Sequence, residues 1–212
     1  MNLHRLLTIT LLFGLSGTSQ AYNTPLITSP GTGDLFGSEP SVTLGNQFQV
    51  GSTPLTVTAL GLFDSGAPGL DQGHSVGLWT ASGTLLAEVD FSPGLSGFSV
   101  GNFLYKNLAS SIELQPGTQY ILAASYQAGT TDLLYVNDTI QYETWSSAVT
   151  FIRGRYTANG AGFAFPNLNV GGLSYVGANL EYAVPEPGAV VLFLNFAFGC
   201  VLWRAGRRLV VK

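Results

Sequence analysis

The chain has 212 residues with 8 basic and 12 acidic side chains, a formal net charge of −4, 46% hydrophobic and only 9% charged residues. So apolar a composition excludes a disordered protein, and so few cations exclude a nucleic-acid or anionic-membrane binder that works through a basic surface. The single cysteine, Cys200, sits near the C-terminus, so residues 22–183 must hold together without a disulfide.

The N-terminus has a basic start, Met1-Asn2-Leu3-His4-Arg5, then a largely apolar stretch from Leu6 to Leu15 and a small-residue exit through Ser19-Gln20-Ala21. This order predicts a secretory signal peptide over 1–21, because ten apolar residues are too few for a permanent membrane span. Residues 22–40 are rich in Gly, Ser, Thr and Pro and predict a leader loop. From there to residue 183, short apolar alternations recur between Gly, Pro, Asp and Ser. They predict strands at 42–50, 55–63, 75–80, 84–91, 98–105, 119–126, 133–136 and 175–182. Ala81-Ser82-Gly83 and Pro116-Gly117 read as turns. Many short strands, regular turns and no helical periodicity before the tail predict an all-β, antiparallel β-sandwich, jelly-roll-like, over 41–183. Residues 22–183 hold three basic residues against eleven acids, a net charge of −8.

Candidate sites in this body are few. Asp64 and Asp71 flank a Gly-Pro loop and could offer oxygen ligands to calcium, although aspartates also cap such turns unaided. His74 is the one histidine of the body; with no nucleophile motif such as G-x-S-x-G, it reads as a hydrogen-bonded residue at a strand edge. Glu113, Asp132 and Glu143 read as solvated surface charges rather than a glycosidase acid pair. Trp145, with Tyr142, lies in a polar stretch and is a candidate sugar-stacking surface. Trp79 belongs to an alternating strand and reads as core, while Tyr126, Tyr135 and Tyr156 are further aromatics of that surface. Asn137-Asp138-Thr139 reads as an exposed turn. No catalytic residue is assigned, and no cofactor beyond calcium.

The tail carries the most specific pattern. Pro185 and Pro187 fix φ at alternate positions and hold Val184 and Glu186 extended. An apolar run from Gly188 to Trp203 follows, about 24 Å long as a helix and therefore a short membrane span. Arg204, Arg207 and Arg208 close it as a basic stop, which keeps that end cytoplasmic and places the body on the far side. The same stop argues against a GPI signal.

Val184, Pro185, Glu186 and Pro187, the apolar span and the three arginines together resemble the PEP-CTERM sorting signal of Gram-negative bacteria. The resemblance implies processing by an exosortase-type membrane protease, a membrane-anchored intermediate and delivery to the cell surface, in bacteria that make exopolysaccharide. Stretches from Leu44 to Tyr182, among them Val57-Thr58-Ala59-Leu60-Gly61-Leu62-Phe63-Asp64 and Leu114-Gln115-Pro116-Gly117-Thr118-Gln119-Tyr120, resemble a sandwich module found ahead of such tails. The expected function is a non-enzymatic surface protein, structural or adhesive in the envelope or exopolysaccharide matrix. The alternatives are a carbohydrate-binding module at Trp145 and, third, a secreted hydrolase. No nucleic-acid partner is expected.

Overall fold

Alternation of apolar and polar side chains along extended segments lets two sheets share one core, and the chain follows this rule closely. A computed structural model describes residues 23–36, 40–64, 69–94, 96–138 and 143–183. Three short strands come first: β1 (Asn23–Pro25), β2 (Ile27–Ser29) and β3 (Asp34–Phe36). Then come β4 (Val42–Val50), β5 (Leu55–Phe63), the hairpin β6 (His74–Thr80) and β7 (Leu85–Phe91), β8 (Phe98–Val100), β9 (Phe103–Leu114) and β10 (Gln119–Tyr126). The remainder are β11 (Leu134–Asn137), β12 (Thr144–Trp145), β13 (Val149–Tyr156), β14 (Leu168–Val170), β15 (Ser174–Val176) and β16 (Ala178–Ala183). The described residues contain no helix.

Two antiparallel sheets form the body. One runs β1-β16-β5-β9-β8 and the other β14-β13-β4-β10-β6-β7. They pack as a sandwich around Phe48, Leu60, Leu62, Leu78, Leu104 and Leu122, all buried in one cluster. Burying each such side chain contributes about 1.5–3 kcal/mol, which supplies the stability that no disulfide provides. Smaller sheets, β15-β11-β3 and β12-β2, flank the body. Ile27, Phe63, Phe103, Tyr105 and Val176 build a second cluster, so β5 is covered on both faces. Gly83 (φ 101°) and Gly117 (φ 68°) sit in the turns read at 81–83 and 116–117, in a backbone region that favours glycine.

The structure departs from the sequence reading in several strands, and β12, β13 and β14 were not among those expected. Residues 23–36 form three short strands where a loop was expected: Asn23 pairs with Ala183, and Leu26 and Ile27 are buried. The stretch at 98–105 divides at Gly101-Asn102, and β9 runs on to Leu114. The last stretch divides at Gly177, where an added Cβ would meet the Tyr126 hydroxyl at 2.1 Å. The segments read as signal peptide and sorting tail, including Val184–Pro187 and Arg204, Arg207 and Arg208, lie outside the described residues. Among the described residues no helix is long and apolar enough to cross a membrane.

Candidate functional site

A cleft with a volume of about 560 Å³ opens beside the start of β6. Its inner wall is Gly73, His74 and Ser75 with Asp90 and Phe91 of β7, and its floor is the end of β10, Ser125, Tyr126 and Gln127. The outer wall is a loop after β13, Gly160-Ala161-Gly162-Phe163, with Ser41 at its foot.

His74 anchors the inner wall. It is 2% exposed, and its Nδ1 lies 2.7 Å from the Ser125 carbonyl while Nε2 lies 2.8 Å from Oδ2 of Asp132. Both ring nitrogens thus face oxygen acceptors. The ring is thereby held between a backbone carbonyl and a carboxylate, with neither nitrogen left uncommitted. Asp132 also accepts the backbone amides of Asp71 (2.8 Å) and Gln72 (2.9 Å), which fixes the loop leading into β6. Burial pushes the Asp132 carboxyl up, but the Asp71 and Gln72 amides and His74 outweigh it and hold it below the ordinary aspartate range. Tyr126 lies edge-on beneath the imidazole at 5.1 Å between ring centres.

Thr43, fully buried on β4, fixes the outer wall. Its Oγ1 donates to the Gly162 carbonyl (2.6 Å) and accepts the Ala164 amide (3.1 Å), while its backbone pairs with Thr157 in both directions. Gly160 (φ 80°) and Gly162 (φ 61°) take left-handed backbone to make the loop turn back on the sheet. Phe163 and Phe165 then close over Trp79, with ring centres 5.4 and 6.4 Å away. Trp79 lies flat over Gly77, whose missing side chain leaves the room: a Cβ there would be 2.2 Å from the indole ring. Arg155 pins the far end through the Pro166 carbonyl (2.9 Å), Asn169 and the Phe165 ring.

The remaining lining groups are held in turn. Ser75 donates from Oγ to Oδ1 of Asp90 (2.6 Å), its amide donates to Ser125 Oγ (2.9 Å), and Ser41 Oγ accepts the Ala128 amide (2.9 Å). Gln127 is exposed, with only a long bond from Nε2 to the Gly73 carbonyl (3.3 Å). The cleft therefore combines fixed polar groups with apolar lining, including one half-buried ring, Phe163, on its rim.

Several residues singled out from the sequence lie elsewhere. Trp145 is half-buried between the two core clusters, donates Nε1 to Glu143 (2.7 Å) and packs on Phe151. Tyr142 lies outside the described residues. Tyr126 is core, and Tyr135 packs on Phe63 at 5.2 Å, so the aromatics do not share one surface. Asp132 and Glu143 are buried, not solvated, because each is tied to donors far from it in sequence or within a tight turn; Glu113 alone of the three is exposed. Glu143 holds Asn137 as well as Trp145, and none of the three acids lines the cleft. Asn137 is fully buried with Nδ2 donating to Glu143 and to the Pro30 carbonyl, so the sequon's asparagine is not exposed, while Asp138 is exposed and residue 139 lies outside the described residues. Asp64 and Asp71 flank residues 65–68, which lie outside the described residues, and Asp71 is exposed. Among the described residues no group of three or more His, Cys, Asp or Glu is placed to hold a metal ion.

Phe163, Gln127, Asp90 and Thr43 were not singled out from sequence. The one available signal was Asn159-Gly160-Ala161-Gly162-Phe163-Ala164-Phe165, where paired glycines precede alternating rings.

The profile of the family described as "Domain of unknown function (DUF4082)" matches residues 28–177, well over half of the chain. This chain belongs to the DUF4082 family. The matched stretch runs from β2 to the residue before β16, and so contains every lining residue of the cleft. Among curated proteins nothing matches. A solved structure titled "The 2.6A structure of Infectious Bursal Virus Derived T=1 Particles" is similar over 85% of this chain and 46% of that one, at 14% identity. Its TM-score of 0.27 is too low for the likeness to carry an argument about the DUF4082 fold.

Proposed function

We propose that this DUF4082 protein is an exported surface component whose sandwich is a binding module, not a catalyst, and that the cleft beside β6 engages an extracellular polymer. Export and sorting rest on the signal-peptide pattern at 1–21 and on the PEP-CTERM-like tail, with Val184–Pro187 as the recognition motif, an exosortase-type protease as the processing partner and the cell surface as destination. The jelly-roll description belongs to this reading too, supported by chain crossings between the two sheets from β4 to β5, β5 to β6 and β9 to β10.

One observation carries the binding reading. A general base needs a free lone pair, and His74, the one histidine of the described residues, has both nitrogens committed to acceptors. The serines around it are likewise tied into the frame, so the cleft offers fixed donors and acceptors rather than an activated nucleophile. A concave site with a few fixed polar groups set in apolar lining suits recognition.

The test is sedimentation of the full-length protein, in mild detergent, with the host's exopolysaccharide. Wild type should co-sediment and Ala161→Trp, which fills the cleft from its exposed wall, should not. Equal co-sedimentation of both would overturn the cleft as the binding surface. Fractionation of cells carrying Pro185, Glu186 and Pro187 changed to alanine tests sorting, and retention in the membrane is expected.

A further inference from the structure

We infer that the cleft takes a neutral saccharide of one or two rings, an inference that rests on the reading of the cleft as the ligand site. Its size fits, since small-molecule sites occupy roughly 300–1,000 Å³ and this one about 560 Å³. Its chemistry is that of hydroxyl recognition. Asp90 presents a carboxylate already oriented by Ser75, with Oδ2 lacking a protein partner among the described residues. Gln127 adds an amide whose carbonyl oxygen is uncommitted, and two left-handed glycines put the backbone of 160–162 at the surface. Phe163 supplies the apolar complement. Its ring is half-exposed on the cleft and braced from behind by buried Trp79, so it can lie against the C–H face of a pyranose at little entropic cost.

Charge selects against acidic ligands. Among the lining residues His74 alone can be cationic, and its charge is already matched by Asp132. Lys106 does not line the cleft and is engaged by the Asp90 carbonyl (2.6 Å) and the face of Phe91. An approaching uronate or phosphate would meet Asp90 and a body of net charge −8 without a counter-ion.

The experiment is calorimetric titration of the full-length protein in mild detergent with neutral mono- and disaccharides, hexoses and N-acetylhexosamines, against uronate disaccharides and inorganic phosphate. Saturable binding of at least one neutral saccharide is expected, with no uptake of the anions. Phe163→Ala should weaken that binding about threefold to tenfold, the scale of one lost ring contact. Gln127→Ala, at an exposed position where folding is safe, should weaken it by a similar factor with an unchanged Tm. Trp145→Ala should leave it unchanged. Binding of anions but not neutral sugars, still sensitive to Phe163→Ala, would overturn the saccharide class and spare the cleft. Binding that follows Trp145 and ignores Phe163 and Gln127 would overturn the cleft itself. No binding of any sugar while Ala161→Trp still abolishes polymer co-sedimentation would overturn the small-ring inference alone.

Discussion

Asp132 is the residue on which the inner wall depends, and its replacement gives a quantitative test. Its carboxylate receives the amides of Asp71 and Gln72 and the Nε2 proton of His74, and it is 8% exposed. Asp132→Ala leaves two loop amides and Nε2 of a buried imidazole without acceptors. Breaking a buried pair from one side costs about 3–5 kcal/mol, and at about 2–4 °C per kcal/mol for a domain of this size Tm should fall by roughly 6–20 °C. Asp132→Asn keeps an acceptor at one oxygen but loses the charge, so its loss should be smaller. The pH dependence has a defined sign. The folded carboxyl titrates below its ordinary value of 3.8, so its stabilisation is complete above that value and is lost as pH falls from there through the folded value. Chemical denaturation of wild type and both variants, at neutral pH and at successive steps below pH 4, measures all of this. A loss under about 0.5 kcal/mol for Asp132→Ala, the range of ordinary surface substitutions, would refute the claim that this network is buried and charged.

Other outcomes follow from the same geometry. Thr43→Val keeps shape but removes the hydroxyl between Gly162 and Ala164, and should cost about 1–3 kcal/mol in denaturant titration while loosening the cleft's outer wall. Burial raises the Glu181 carboxyl, so the folded state favours its protonated form; stability from this group is greatest below the ordinary value of 4.5 and falls as pH rises through the folded value. Glu181→Gln should therefore raise Tm at neutral pH and leave it little changed in acid. Gly77→Ala drives a methyl into the Trp79 ring and should lower Tm and expose Trp79, visible as a shift in its fluorescence. Melting in calcium and in chelator tests Asp64 and Asp71 as ligands: two acids, one of them exposed, lead us to expect equal Tm, and a rise of more than about 2 °C with calcium would restore the site.

The long central strands were legible because one rule governs them. β4 and β5 begin and end where alternation begins and ends, β10 is a continuous apolar run between polar turns, and the turns at 81–83 and 116–117 announce themselves through glycine. β13 was not legible, since Arg153, Gly154 and Arg155 interrupt its apolar rhythm. Arg155 is tolerated there only because Gln47 of β4, Asn169 of β14 and the Pro166 carbonyl of the loop before β14 meet its guanidinium. Similarly, β9 is obscured by the polar run Ser110-Ser111-Ile112-Glu113, where the pairing with β5 shifts between Val57 and Ala59. The short strands β1 to β3 resemble a loop in composition, and their partners are more than 90 residues away. The cleft shared that fate. Its walls come from five separated segments, and Asp132 looks like any surface acid until the amides of residues 71 and 72 are brought against it.

The pairing of Asn23 with Ala183 has a consequence for the order in which the molecule can be completed. β16 fills the slot between β1 and β5, and its nearest partner in the chain, β5, precedes it by more than 110 residues. A polypeptide delivered from its N-terminus onward can pair β4, β10 and β6, but its second sheet keeps an open row of backbone donors and acceptors until residue 183 arrives. Closure is then a single late event that joins the two ends of the domain at one edge. From that moment a pull applied at residue 183 is resisted along the length of two neighbouring strands at once, the geometry in which hydrogen bonds bear load together and not one by one.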